Sequence, residues 1–529
     1  YGTIVAFSES PINEDLLVIG TDDGLVQITE NGGSTWKKID NIPGAPIQSY
    51  VNSVYLSQHD ENLIYVAFNH HKYGDFKPYI FKSKDKGNTW NLISNNLPER
   101  GSVYAIEEDH EDPGLIFCGT EFGVFFSPNY GERWKKLSSG LPTIAVRDIA
   151  IQRDMDDIVL GTFGRGFYVM DDYSVLRKIE NTEIQNKGEI YSTRKALMWE
   201  KSNPLGLPGK AFQGDNFYVA ENLDPVAMIT YYYNEDYKSL KEMRKKKEKT
   251  LIKSKKDVAY PSYDELDAEV NEEKPQLVFT IKNDDNLVVK KVFRKPSKGV
   301  HRLKWNLRYE VKDPVDLSSS SFYNPFSGVK EGTLVEPGRY TVRMDYLQKG
   351  KIQELVSEKD FVVEALDNTV LPAEDREAKV AFQRKVSKFQ GEINSYARII
   401  SEVNEKIRYI KESNKLVEKP IDELSEIIRN VELKTKEVNT LFYGDNLKSR
   451  LDIQQIPTPS SRIGSLGYEQ KYSTASPTIT HLESFKIAIE EFVPIKEKIE
   501  DLVEDVKNLE KKLKEIGAPY TKGRFINNN

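Results

Sequence analysis

Acidic, histidine and aromatic side chains recur just after the dipeptide Gly-Thr, and their types and spacing are those that could do chemistry. The candidates are Asp22, Asp23, Glu121, Phe122, Phe163 and Arg165, together with His70, His71, Lys72, Tyr73 and Asp75 in a longer segment between the first two sets. Carboxylates can transfer protons, and a group of two histidines and an aspartate can hold a metal ion. Adjacent histidines on a strand point to opposite faces, however, so we predict no metal site. The more general prediction is a polar surface that binds a ligand.

A second repeat, a Ser/Thr-x-Asp/Asn-x-Gly-x-x-Trp box, occurs after each of the first three of these segments. In each box the Asn or Asp caps its own turn, the Gly supplies a backbone angle that other residues avoid, and the Trp buries the hairpin. We assign these residues a structural role: Asn31, Gly33, Trp36, Asp85, Gly87, Trp90, Asn129, Gly131 and Trp134.

The spacing of the boxes predicts a β-propeller. The three tryptophans are 54 and 44 residues apart, about one four-stranded blade each. Four blades are expected, at about 1–45, 48–98, 101–141 and 143–175, and the last has no Trp box. Four blades taken from a larger ring leave unpaired edges. We therefore expect an upstream propeller segment or a partner chain to complete the ring.

Propeller geometry predicts which residues share a face. The turns between second and third strands open on the same face as the inter-blade loops 41–50, 95–100 and 140–147, and the Trp boxes lie on the other. All these candidates therefore fall on one rim. We expect this rim to bind a peptide, a protein or a glycan.

The segment from Tyr1 to Asp172 resembles the Asp-box (BNR) repeat propellers grouped with the sortilin/VPS10 N-terminal domain, in particular long bacterial VPS10-like proteins. The phrases that carry the resemblance are Tyr1-Gly2-Thr3-Ile4, Gly20-Thr21-Asp22-Asp23-Gly24, Phe76-Lys77-Pro78-Tyr79, Gly119-Thr120-Glu121-Phe122-Gly123 and Gly161-Thr162-Phe163-Gly164-Arg165-Gly166. The sequence after the propeller is also similar to the C-terminal half of those proteins. The resemblance implies an extracytoplasmic location: periplasm, cell surface or secreted.

Related Asp-box propellers include sialidases and xyloglucan hydrolases, so glycoside hydrolysis is the alternative function. Hydrolysis requires two carboxyl groups about 5–10 Å apart, and Asp22, Asp23 and Glu121 are the candidates. The sialidase route needs an arginine cluster, for which only Arg100, Arg147 and Arg165 are available. In the resembling proteins the fourth-blade phrase often contains a histidine where this chain has Phe163, which argues against an acid–base role there. Acids in turns are ordinarily solvated caps, so we assign no catalytic residue.

The remaining sequence predicts two further domains. A connector at 176–212, rich in Pro and Gly at 203–209, leads to an Ig-like or fibronectin-like β-sandwich at 213–366, in which strands 299–306 and 335–343 are expected to pair. An antiparallel helical bundle is predicted at 372–517, interrupted by a loop at 452–476, and a tail spans 518–529.

A charged insertion at 234–275 interrupts the sandwich. Residues 241–256 contain nine basic and two acidic residues, whereas residues 257–273 contain seven acids and no base. We expect the two runs to neutralise each other in a helical hairpin or a mobile excursion. A polyanion-binding role for the basic run is the alternative.

Composition narrows the class of protein. A net charge of −7 and a pI near 5.7 disfavour nucleic acid, and no apolar run is long enough to cross a membrane. Cys118 is the single cysteine, so no disulfide framework is possible. We predict no cofactor.

Overall fold

The computed structural model describes residues 2–138, 140–179, 187–191, 193–200, 223–317, 331–366, 369–418 and 422–522. The chain divides into two compact units, residues 1–187 and 188–529. Most of the predicted connector, the start of the predicted sandwich at 213–222 and the end of the tail from residue 523 lie outside the described residues.

The first unit consists of four antiparallel sheets, each formed from strands in chain order. The first two sheets are β1 Ile4–Glu9, β2 Leu17–Thr21, β3 Val26–Thr29 and β4 Lys37–Ile39, then β5 Tyr50–Leu56, β6 Ile64–His70, β7 Asp75–Ser83 and β8 Asn91–Leu92. The other two are β9 Val103–Glu108, β10 Ile116–Thr120, β11 Gly123–Ser127 and β12 Lys135–Leu137, then β13 Val146–Gln152, β14 Asp157–Thr162 and β15 Phe167–Met170. The described part of the fourth sheet therefore has three strands.

Successive sheets pack face to face through the first strand of the following sheet. Strands β1 and β2 contact β5, β5 and β6 contact β9, and β9 and β10 contact β13. Among the described strands, no comparable packing joins the first sheet to the fourth. The unit is a propeller-like arc of four sheets.

Small residues make this close packing possible. A Cβ atom on Gly20 of β2 would lie 2.2 Å from Cγ1 of Val51, and one on Gly119 of β10 would lie 2.6 Å from the carbonyl oxygen of Val146. Both valines occupy the first strand of the next sheet and are fully buried. Each glycine is therefore needed because a β-branched residue of the following sheet sits directly on it.

The Trp boxes form local hydrogen-bonded turns, and the second and third also contact the preceding sheet, where Ile28 faces Gly87 and Ile93 faces Gly131. In the second box the Ser83 hydroxyl accepts from Gly87 N–H at 2.8 Å, and Asp85 Oδ1 accepts from Thr89 N–H at 2.8 Å. Hydrogen bonds of the side chain and backbone of Thr89 lower the pKa of Asp85 to about 2. In the other two boxes the equivalent backbone N–H groups donate to the equivalent side-chain oxygens. These bonds are Gly33 N–H to Thr29 Oγ1, Thr35 N–H to Asn31 Oδ1, Gly131 N–H to Ser127 Oγ and Arg133 N–H to Asn129 Oδ1.

The second unit begins with two β-sheets that share one apolar core, which includes the buried Trp305. The smaller sheet has the order β16 Gly188–Ile190, β18 Ala227–Tyr233 and β21 Gly299–Trp305. The larger sheet has the order β17 Ala196–Met198, β23 Lys351–Ala365, β22 Gly338–Gln348, β19 Gln276–Asn283 and β20 Val288–Arg294. Assignment of these sheets to an Ig-like or fibronectin-like family stays a prediction.

The expected pairing of strands 299–306 and 335–343 is wrong along most of its length. Strand β21 pairs with β18, whereas β22 pairs with β19 and β23, so the two strands lie in different sheets. Only their connection is paired, through a bridge between Arg308 and Leu334. Alternation of apolar residues fixes the buried face of a strand but does not specify its neighbour.

The charged insertion forms a helical hairpin of α1 Leu240–Lys253 and α2 Tyr263–Val270. Each helix starts with a reciprocal capping box, Ser239 with Glu242 and Ser262 with Glu265. Arg244 of α1 forms an ion pair with Glu269 of α2 at 2.5 Å. The predicted neutralisation therefore occurs at this contact.

The described residues that follow the sheets form five helices: α3 Arg376–Lys415, α4 Asp422–Tyr443, α5 Asn446–Arg450, α6 Pro459–Tyr472 and α7 Ile479–Glu515. Their mutual directions are given by cross-helix polar pairs. Lys496 of α7 contacts Glu392 of α3 at 3.2 Å, and Glu510 of α7 contacts Lys406 of α3 at 3.2 Å. The residue numbers of the paired side chains increase in the same direction along both helices, so α3 and α7 are parallel. The prediction of an antiparallel bundle is wrong for this pair.

Helices α4 and α6 run opposite to the two long helices. Lys411 of α3 pairs with Glu432 of α4. Asn404, about two turns earlier in α3, pairs with Asn439, about two turns later in α4. Helix α6 packs on the earlier parts of α3 and α7, where Gln383 donates to the backbone of Gln470. Between α3 and α7 the chain therefore runs back along the long helices as the separate helices α4 and α6.

Helix α6 lies inside the predicted loop at 452–476, so that prediction is wrong over residues 459–472. Thr458 caps the helix by accepting a hydrogen bond from Ser461 N–H at 3.2 Å, and Pro459 occupies its first turn. The Pro and Ser residues that suggested a loop are therefore helix-start residues. None of the helices in the described ranges is both long enough and apolar enough to span a bilayer.

Candidate functional site

The predicted rim residues lie beside the beginnings of the first strands of their sheets. A recurring backbone hydrogen bond links the turn after each Gly-Thr to the residue before that strand: Asp22 N–H to Thr3, Glu121 N–H to Ser102 and Phe163 N–H to Ala145. The Trp boxes bond instead to the turns between first and second strands, as Lys86 N–H does to Asn62. This rim is therefore at the opposite strand ends from the boxes.

Asp23 caps its own turn, whereas Asp22 ties this turn to the residue before β1. Asp22 Oδ1 accepts from Thr3 N–H at 2.7 Å, and Asp23 Oδ1 accepts from the Thr21 hydroxyl at 2.5 Å. Among the described residues, no hydrogen bond or ion pair joins either carboxylate to Glu121. Both carboxylates are therefore engaged in hydrogen bonds that hold the turn in place.

The longer segment of the second sheet folds against its own first strand. His71–Tyr73 form a 3₁₀ turn that ends at Gly74, whose φ of 77° lies in the left-handed region. The rings of His70 and Tyr73 stack with centroids 4.4 Å apart, and the Lys72 ammonium lies 5.6 Å from the ring centroid of Tyr50. His70 Nδ1 is also 3.2 Å from the hydroxyl of Ser49.

These histidines do not form a metal site with Asp75. Asp75 Oδ2 accepts from the Tyr79 hydroxyl at 2.6 Å and Oδ1 from Lys77 N–H at 3.1 Å. Although partial desolvation works in the other direction, these bonds hold the pKa of Asp75 below its usual value. Within the described ranges, the metal-ligating groups that come within 4.8 Å of one another lie elsewhere.

The structure brings together four side chains on the third and fourth sheets. The Tyr104 hydroxyl of β9 donates to Glu121 Oε2, and the guanidinium carbon of Arg147 lies 3.6 Å from the Tyr104 ring centroid and 5.2 Å from that of Phe163. We call Tyr104, Glu121, Arg147 and Phe163 the rim cluster. Arg147 and Phe163 are exposed, so a cation and an aromatic face are available to a ligand.

Burial and the hydrogen bond to Glu121 raise the pKa of Tyr104 to about 12, although Arg147 works against this shift. The phenol is therefore protonated at neutral pH and donates to the carboxylate. Tyr104 is not among the site residues predicted from the sequence. Its signal in the sequence is its position directly after the apolar Val103, at the start of the first strand of the third sheet. Phe122 and Arg165 are exposed in the same turns as Glu121 and Phe163, and His71 is exposed in the 3₁₀ turn of the second sheet.

A second polar cluster, also missed in the sequence, lies near the opposite strand ends. Asp109 is fully buried and accepts from Arg177 Nε at 2.7 Å and from the Tyr173 hydroxyl at 2.5 Å. These bonds lower the pKa of Asp109 against the effect of burial. They fasten the segment after the fourth sheet to the end of β9.

His110, Glu111 and Asp156 of this second cluster place ligand atoms within 4.8 Å of one another. Arg177 already contacts two of them, Glu111 at 2.6 Å and Asp156 at 2.5 Å. A guanidinium therefore supplies the positive charge at this position, and the donor set does not favour a metal ion.

No protein-family model and no curated protein matches this sequence. Among solved structures, the chain is similar to YCF48 bound to D1 peptide, at 18% identity over 32% of this chain and 52% of that chain, with a TM-score of 0.26. It is also similar to YCF48 from Cyanidioschyzon merolae, at 17% identity over 32% of this chain and 53% of that chain, with a TM-score of 0.24.

A third similar structure is the GH74 xyloglucanase from Xanthomonas campestris, at 13% identity over 31% of this chain and 27% of that chain, with a TM-score of 0.25. All three are β-propeller proteins. This chain thus spans about half the length of the YCF48 chains and about a quarter of the xyloglucanase. The likeness is weak and concerns the fold, which rests here on the sheet topology itself.

Proposed function

We propose that this chain is a binding or scaffold protein whose propeller rim presents the rim cluster to a peptide, a protein or a glycan. The observation that carries the proposal is the exposed Arg147 held between the rings of Tyr104 and Phe163. A cation fixed by two rings on a rigid strand is preorganised to bind a carboxylate, and the aromatic face suits a sugar ring or an apolar side chain.

The proposal is tested by screening the complete chain against glycan and peptide arrays, followed by titration of the best ligands. Arg147→Ala is expected to weaken binding at least tenfold, and Phe163→Ala to weaken it as well. Arg133→Ala is the matched control, because Arg133 is an exposed arginine of a Trp box at the other strand ends. Equal loss in Arg133→Ala, or no loss in Arg147→Ala, would place the ligand elsewhere.

We further propose that additional propeller sheets complete the arc, from an upstream segment or a partner chain. Three features at the first sheet support this. Ile4 occupies the same position in its first strand as the buried Val51 and Val146 do in theirs, yet its side chain is 59% exposed. The side chain of Trp36 is 39% exposed. A Cβ atom on Gly33 would contact only Trp36. In the later sheets the equivalent positions are covered by the preceding sheet.

The fourth sheet has complementary features at the other end. A Cβ on Gly161 would meet only Asp148 of its own sheet, and Phe167 and Val169 of β15 are 80% and 59% exposed. Exposed apolar faces of this kind are rare on free surfaces. Intact-mass measurement of material purified from its source, with whatever co-purifies, tests the proposal. A monomer of this chain alone, with Phe167 and Val169 accessible to solvent, would contradict it.

Glycoside hydrolysis remains the second candidate, since Tyr104 and Glu121 form a hydrogen-bonded pair beside Arg147. The raised pKa of Tyr104 opposes a phenolate nucleophile, which makes binding the better-supported function. Alanine at Asp22, Asp23 and Glu121, assayed against any glycan that is turned over, separates the two. Unchanged turnover in all three variants would remove these carboxylates from the reaction.

The proposed location is outside the cytoplasm, and it rests on the resemblance to the Asp-box propellers. Fractionation of source cells, with protease added before and after lysis, tests it. Recovery with the cytoplasmic fraction would contradict the location and leave the rim proposal untouched.

A further inference from the structure

The two faces of α1 in the charged hairpin differ in their contacts. At 3.6 residues per turn, Leu240, Arg244, Glu248 and Leu251 share one side of the helix, and Arg244 on that side pairs with Glu269 of α2. In the first turn the opposite side carries Glu242, whose carboxylate accepts from Ser239 N–H in the capping box. Beyond that turn it carries Lys246, Lys249 and Lys253, with Lys245 at its margin. We call these four residues the lysine stripe.

The acidic neighbours of α1 are engaged on its inner side. Arg244 binds Glu269 and Glu248, at 2.5 and 2.6 Å, and Glu272 accepts from Leu240 N–H and from the Tyr237 hydroxyl. Lys245 and Lys241 act on Glu269 only at longer range. Within the described ranges, no residue of the lysine stripe forms an ion pair, and all four are exposed.

The two helices of the hairpin are not stabilised by packing into a hydrophobic core. Neither helix has a buried side chain, and each is started by a complete capping box. A 14-residue helix without tertiary packing is marginal in water, so these caps and the Arg244 contacts stabilise it directly. The result is a helix with lysines at steps of about 4.5–6 Å along its axis.

We propose that the lysine stripe is a docking surface for an anionic polysaccharide, one that carries carboxylate or sulfate groups along a linear chain. Regularly spaced ammonium groups match repeated anions, and the chain's net charge of −7 makes this patch a local exception. Duplex DNA carries one charge per about 1.7 Å of its axis, whereas these ammonium groups are about 4.5–6 Å apart, a spacing that suits a more sparsely charged linear chain. Leu240, Met243 and Leu251 of α1 line the groove against α2, and Ile252, which is 64% exposed, is the larger apolar residue beside the stripe. One isolated apolar side chain is less than the continuous apolar face with which a helix enters a membrane.

Binding of the complete chain is measured by surface plasmon resonance to immobilised heparin and polygalacturonate, with neutral dextran as the uncharged probe. We expect binding to both anionic polymers, weakening steeply as salt rises, and none to dextran. Lys246→Glu/Lys249→Glu/Lys253→Glu is expected to reduce both affinities at least tenfold. Circular dichroism of the variant checks that its helix content is retained.

The control variant is Lys507→Glu/Lys511→Glu/Lys512→Glu, which makes the same charge change at exposed positions of α7. It is expected to stay within twofold of the parent chain. Equal losses in the two variants, or no binding to either polysaccharide at low salt, would overturn the proposal. Binding only to duplex DNA or only to anionic vesicles would overturn it too. Because Arg147 is retained throughout, failure here does not affect the rim proposal.

Discussion

Arg147 of the fourth sheet covers the ring of Tyr104 of the third, with its guanidinium carbon 3.6 Å from the ring centroid. Tyr104 in turn donates its hydroxyl to Glu121. This chain of contacts links two sheets across their junction at the rim. The contacts fix the direction of an exposed cation, and among the described residues no ion pair neutralises it. This is the arrangement expected of a ligand contact.

The contact itself is measurable by a double-mutant cycle with Arg147→Ala and Tyr104→Leu. We expect a coupling free energy of unfolding of about 0.5–2 kcal/mol, because the cation–π pair is partly desolvated. Denaturant titration of both single variants and the double variant gives the value. Strict additivity of the two single losses would show that the rings and the guanidinium do not interact.

Two glycines at equivalent places in their sheets should respond differently to the same substitution. Gly119→Val is expected to destabilise the first unit by about 3 kcal/mol, because its Cβ would fall 2.6 Å from the Val146 carbonyl oxygen. Gly161→Val is expected to cost less than about 1 kcal/mol in the isolated chain, since only Asp148 of its own sheet is near. Thermal unfolding compares them. Similar losses would mean that Gly161 is already covered.

Arg177→Met should destabilise the first unit by about 3–5 kcal/mol, because it leaves the buried Asp109 carboxylate without its cation. The folded-state pKa of Asp109 is lowered, so its contribution is present above the unfolded value of about 3.9 and is lost as the pH falls through the folded value. Unfolding measured from pH 6 to pH 3 should show this acid-side loss in the parent chain and not in the variant.

Glu107→Gln should stabilise the chain at alkaline pH. Burial raises the pKa of Glu107 to about 8, so the folded state retains a proton that the unfolded state has released. Stability from this group is complete below the unfolded pKa of about 4.3 and falls as the pH rises towards 8. Thermal unfolding at pH 5 and pH 8.5 should place the variant above the parent only at the higher pH. An equal shift at both values would point to packing instead.

The sheets of the first unit were predictable because their signals are local. Each Trp box closes through hydrogen bonds between residues two to four positions apart, such as the one that Gly87 N–H donates to the Ser83 hydroxyl. The rim is also predictable from strand connectivity. The rim cluster is not, since Tyr104 and Arg147 are brought together by the register of neighbouring sheets, which no local pattern encodes.

The second unit shows which structural features the periodicity of apolar residues does not predict. The apolar stripes of α3 and α7 predict two buried helix faces, but a stripe has no direction, and the helices prove parallel through pairs such as Lys406 with Glu510. Helix α6 was missed because Thr458 and Pro459 are helix-start residues as well as loop residues. The distinction depends on whether a neighbouring surface is available to bury the apolar residues after Pro459.

The glycine and isoleucine at the two ends of the arc give it a polarity. Gly161 is a recess and Ile4 is a projection, so a joining surface must meet the former with a branched side chain and the latter with a small one. Recess against recess would leave a void, and projection against projection would clash. Anything that extends the arc must therefore be added head to tail, in one rotational sense.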